Sequence, residues 1–86
     1  MPEISRFYGI VIAMFYSEHG VPHFHAVYGG QKVSIGIEGP VVLEGTLQPR
    51  ALRLVLEWCR LHEAELLANW QRARRGEPLE HIAPLE

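Results

Sequence analysis

The sequence predicts an α+β domain, an antiparallel meander of about four strands followed by a C-terminal helical segment. Three observations carry this. β-Branched and aromatic residues crowd "FYGIVIAMFY" (7–16), two alternating runs meet at Gly29-Gly30, and a helical apolar stripe runs from Pro49 to Arg75. At 86 residues there is core enough for one domain only. Residues 1–76 form that domain, and residues 77–86 read as an extended tail.

The segment Phe7 to Tyr16 is apolar on both alternate sets, the pattern of a central strand covered on each side. "SEHGVP" ends it, because Gly20 and Pro22 turn the chain. "HFHAVY" and "QKVSIGIE" then flank Gly29-Gly30, and tight hairpin turns need the positive φ that glycine supplies. A two-residue loop fixes the register: Tyr28 opposite Gln31, Ala26 opposite Val33, His25 opposite Ser34, Phe24 opposite Ile35, and His23 opposite Gly36. Phe24, Ala26, Val33 and Ile35 then make the core face. His23, His25, Val27, Lys32, Ser34 and Gly36 lie on the other. Gly39-Pro40 makes the next turn, and "VVLEGT" is a short fourth strand.

From Pro49 onward the reading is helical. Proline suits a first helical turn, Gly76 and Pro78 stop the helix, and Arg72, Arg74 and Arg75 suit its negative end. Leu52, Val55, Leu56, Cys59, Leu66, Leu67 and Trp70 form the stripe, which Glu63 interrupts near its centre. A continuous helix over 49–75 would be about 40 Å long. A compact domain of this size has a radius of gyration of roughly 12 Å and a diameter near 30 Å. Two helices, 49–61 and 63–75, bent around His62, fit that size; one long helix protruding into a dimer is the competing reading. In the tail, Leu79, Ile82 and Leu85 can anchor an arm on this domain or on a partner, or the terminus can fray.

Composition narrows the class. Hydrophobic residues make up 48 % and charged residues 21 %, as in globular proteins. No apolar run approaches the roughly 18 residues of a membrane span, and the N-terminus lacks a signal-peptide layout. A single cysteine, Cys59, excludes an internal disulfide and a cysteine-rich zinc site, and fits a reducing cytoplasm. It falls on the apolar stripe, where it reads as a small buried hydrophobe. Net charge is −2, so no basic field indicates nucleic acid. Six arginines nevertheless fall between Arg50 and Arg75, and such a helix face can meet phosphate or an acidic partner as well as solvent.

The segments "ISRFYGIVIAMFY", "HGVPHFHAVYGG", "VLEGTL" and the helix ending "LLANWQRA" resemble a bacterial family called domain of unknown function 4160. The likeness extends over nearly the whole chain. It implies a small stand-alone cytoplasmic protein of a kind associated with toxin–antitoxin-like gene pairs, and it supplies no catalytic residues to carry over. Val21-Pro22 stands where the family pattern has two prolines.

Chemistry concentrates in "SEHGVPHFHAVYGG". His23 and His25, at i and i+2 of a strand, project from one face and are the candidate catalytic pair, as acid and base or as metal ligands. Two such rings can share one divalent transition metal such as zinc, with His19 in the preceding loop or Glu38 on the same hairpin face as further ligands. Small Ser34 and Gly36 opposite them leave space above the rings. The segment resembles half of a cupin metal-binding motif, without the spaced glutamate and glycine that should follow. Against this stands a plain alternative: histidines alternating with aromatics on a half-exposed strand can be scaffold.

Two functions follow as expectations. One is an interaction or regulatory module of a toxin–antitoxin-like pair, homodimeric, with a partner encoded by a neighbouring gene. The other is a small histidine-dependent hydrolase, metal-dependent or not, such as an RNase-like toxin.

Overall fold

The computed structural model describes residues 2–16 and 18–86. Five antiparallel strands form one sheet in the order β1-β2-β3-β4-β5, a plain meander. They are β1 Glu3–Phe7, β2 Ile10–Ala13, β3 His23–Tyr28, β4 Gln31–Gly36 and β5 Val41–Gly45. Helices α1 (Pro49–Leu61) and α2 (Glu63–Arg74) follow.

The extra strand corrects the reading of 7–16 as one strand. Tyr8 and Gly9 both have positive φ, 50° and 78°, and turn the chain tightly between β1 and β2. Such a turn matches the twist of the strands it joins, and glycine bears its φ without strain. Apolar residues on both sides of the turn hide it from periodicity. β2 is the central strand expected here, with Ile10, Ile12 and Ala13 fully buried between β1 and β3.

The β3–β4 hairpin has the predicted register throughout, from Tyr28 opposite Gln31 to His23 opposite Gly36. Phe24, Ala26, Val33 and Ile35 are all buried. Against this face lies α1: the Trp58 ring sits 5.4 Å from Phe7 and 5.7 Å from Phe24, centroid to centroid. Trp58 and Trp70 are both buried within a single chain, so each belongs to its core.

The helical segment bends at His62, which ends α1 and begins α2 with φ −121° and ψ 26°. The bend answers the question of Glu63, which is exposed because α2 starts on a new axis there. Principal extents of 33 × 25 × 23 Å exclude a protruding helix over 49–75. At the start of α1, Gln48 Oε1 accepts from Ala51 N at 3.0 Å, doing the work of a cap ahead of Pro49. At the end of α2, the N–H of Gly76 donates to Ala73 O and that of Glu77 to Arg72 O, a Schellman closure.

The tail lies on its own domain. Ile82 is buried and its N–H donates to Ile4 O of β1 at 2.8 Å. Asn69 holds Glu80 at both ends of its amide, donating to the carbonyl at 2.8 Å and accepting from the N–H at 2.9 Å. Trp58 Nε1 donates to Ala83 O at 2.8 Å. Among the described residues, no helix is long and apolar enough to cross a membrane.

Candidate functional site

Strand alternation puts His23 and His25 on the sheet face opposite Phe24, with ring centroids 5.3 Å apart. Phe24 between them is fully buried and fixes the strand against rotation. Each ring has a further aromatic wall. Phe15, just beyond β2, meets His25 edge-on at 4.8 Å, and Trp70 of α2 lies 5.0 Å from His23. Only 12 % and 13 % of the two histidine side chains is exposed.

Glu18, in the connection between β2 and β3, completes the group. Its Oε1 lies 2.8 Å from His25 Nε2 and 3.6 Å from His23 Nε2. The hydrogen-bond partners assign the ring protons. Val21 O can only accept, so His23 Nδ1, at 2.8 Å, carries the hydrogen, and a neutral His23 presents the Nε2 lone pair to the cluster. The Glu18 carboxylate also only accepts, so a neutral His25 is protonated at Nε2, and its Nδ1 accepts from the Ser34 hydroxyl at 3.2 Å. The two rings thus take opposite tautomers. The hydrogen bond from His25 holds the Glu18 carboxyl below the usual carboxylate range; partial burial opposes this, and positive charge on His23 or His25, whenever a ring takes up a second proton, reinforces it.

One lone pair, one N–H donor and one carboxylate therefore converge, with ligand atoms all within 4.8 Å of one another. Of the residues expected from sequence, His23 and His25 come together here. His19 and Glu38 are exposed, and neither belongs to the cluster; Glu18 is its third member. The connecting loop has no period, so its sequence does not reveal which of Glu18 and His19 turns inward. Ser34 lies across from His25 as expected and bonds to it. The space foreseen at Gly36 is taken up: a Cβ there would lie 3.0 Å from Val41 Cγ1 and 3.6 Å from Leu43.

Other candidates fall away. His62 sits at the helix bend and bonds to Glu65, while His81 is exposed in the tail. Cys59 is buried, and burial pushes its thiol up to about 11, assisted by the charge of Glu63, so it is no nucleophile. A concavity of about 490 Å³ beside Tyr8, Tyr28 and Arg50 lies at the other end of β3 and shares no residue with the cluster. Its lining includes Gln48, Arg50 and Glu57 but no histidine or cysteine.

No curated protein and no solved structure matches the chain. A family model does, over residues 9–71, a span that runs from the first turn into α2 and includes Glu18, His23, His25 and Ser34. With most of the chain matched, the protein belongs to the family described as Domain of unknown function (DUF4160).

Proposed function

We propose that this protein is a small histidine-dependent hydrolase centred on Glu18, His23 and His25. The observation that carries the reading is one carboxylate facing two imidazole nitrogens, with ring hydrogen-bond partners that assign opposite tautomers to the neutral rings. Hydrolysis needs a base to take a proton from water and an acid to return one to the leaving group. His23 Nε2 supplies the lone pair that takes a proton from water and, as the imidazolium so formed, returns it to the leaving group. The His25 Nε2–H stays bonded to Glu18 and orients it. Glu18 stabilises positive charge that develops on either ring. Imidazole exchanges protons near neutral pH, which suits a cytoplasmic enzyme, and the lone buried thiol fits that compartment. The substrate class is an ester or phosphodiester, as for an RNase-like toxin of a toxin–antitoxin-like pair.

The test is hydrolysis of bis(p-nitrophenyl) phosphate, p-nitrophenyl acetate and a fluorogenic RNA by the wild type and a His23→Gln/His25→Gln variant. Turnover of at least one probe by the wild type, lost in a variant with unchanged circular dichroism, is expected. Equal turnover by the folded variant, or none by the wild type on any probe, contradicts the reading.

A second reading, a docking module, is favoured by β5. This edge strand exposes Val41, Val42 and Leu43 at 49 %, 40 % and 45 %. The opposite edge, β1, is joined by the chain's own tail through Ile82. An unpaired apolar edge strand is a template for another strand, and a second copy of this chain is the occupant assigned to it. The product of a neighbouring gene is the competing occupant.

A further inference from the structure

We propose that Glu18, His23 and His25 bind one divalent transition metal of the zinc or iron(II) class and leave part of its coordination sphere open to water. This is the metal-dependent form of the hydrolase reading, in which a metal-bound water would take the place of the free His23 lone pair. It rests on that reading for the use to which the metal is put; the binding itself does not. Two imidazoles and one carboxylate are a donor set for these ions, whereas magnesium and calcium prefer oxygen donors throughout.

The spacing fits. Bonds of 2.0–2.2 Å in tetrahedral geometry place ligand atoms about 3.3 Å apart. The Glu18–His25 and Glu18–His23 separations, 2.8 and 3.6 Å, fall either side of this value. Glu18, whose side chain is 33 % exposed, is the least confined of the three ligands. Trp70 and Phe15 pack against the two histidine rings and hold them in place.

The outer partners are of the kind metal-bound histidines use. Val21 O holds the His23 ring so that Nε2 points inward, as a ligand must. His25 needs one adjustment: its proton leaves Nε2, and one resides on Nδ1, where Ser34 Oγ changes from donor to acceptor. The neutral ring keeps its proton count, and the hydroxyl serves either tautomer. Three protein ligands are one short of a closed structural site, so the remaining position takes water or substrate.

The experiment is titration of the chelator-treated, full-length protein with cobalt(II), followed by visible absorption, and with zinc by calorimetry. Wild type is expected to take up one ion per chain with a tetrahedral or five-coordinate cobalt spectrum. Binding disappears in His23→Gln/His25→Gln and in Glu18→Gln. It weakens about tenfold in Ser34→Ala, which removes only an outer partner. No uptake by the folded wild type, or unchanged uptake by the folded double variant, overturns the proposal. Hydrolysis undiminished in chelator-treated protein that also takes up no ion overturns the metal site and leaves the acid–base reading standing. Ion uptake without hydrolysis sustains the metal site and sinks the hydrolase.

Discussion

Oε1 of Glu18 lies 2.8 Å from Nε2 of His25 and 3.6 Å from Nε2 of His23, so a single carboxylate oxygen faces two rings. Replacing Glu18 by glutamine keeps the size and an acceptor but removes the charge. The side chain is one-third exposed, so the fold is expected to lose less than about 1 kcal/mol, as for other partly solvated ion pairs. Turnover, in contrast, should fall by tenfold or more, the scale of losing a positioned charge. Urea unfolding together with the hydrolysis assay checks both. A variant that unfolds readily yet retains its specific activity would make Glu18 a structural residue.

Asn69 is the clasp of the tail. Its amide makes both bonds to Glu80, and Arg72 Nη1 also donates to its oxygen at 2.9 Å. Asn69 is buried and its bonds to Glu80 and Arg72 are part-buried, so Asn69→Ala should cost about 1–3 kcal/mol. Limited proteolysis between Glu77 and Glu80 should quicken in step. Unchanged stability and cleavage would show that Ile82 and Trp58 hold the arm without Asn69.

Cys59 gives the pH dependence. Its thiol is held neutral by burial up to about 11, against 9.0 for an exposed thiol. Between those values the unfolded chain loses its proton while the folded one keeps it, so stability falls as pH rises from 9 to 11. The loss is at most about 3 kcal/mol. Cys59→Ala lacks this term and should show a shallower decline in denaturant midpoint over the same window. Identical slopes for the two proteins would mean that the thiol ionises as readily folded as unfolded.

The β5 edge predicts association. Sedimentation equilibrium at micromolar concentration should report a dimer that Leu43→Lys converts to monomer, since a charge at an exposed edge opposes strand pairing. Monomer mass for the wild type at all concentrations would leave the edge to a different protein. The same mass for wild type and variant would place any dimer elsewhere.

Much of the fold was legible because its strongest signals are local. Gly29-Gly30 set one register, and every cross-strand pair from His23 to Gly36 followed from it. Pro49, His62 and Gly76 punctuated the helices for similar reasons. The first hairpin was not legible, because Tyr8-Gly9 turns within an unbroken apolar run where a turn usually shows polar residues. At the site, the histidine pair could be read from alternation alone. Glu18 could not, because its inward position depends on the path of a loop without periodicity. The role of Gly36 was misread for a related reason. What fills its space is β5, and the bulge that pairs Ser34 with Glu44 and Ile35 with Val42 is not apparent from the residues.

The central claim is that Glu18 couples two histidines of opposite tautomer into one chemical centre. Imidazole ¹⁵N shifts of the metal-free protein, measured where both rings are neutral, test it most directly. The account predicts His23 protonated at Nδ1 and His25 protonated at Nε2, with the His25 signals moving in Glu18→Gln. Two rings with the same tautomer, or His25 shifts indifferent to Glu18→Gln, would contradict it.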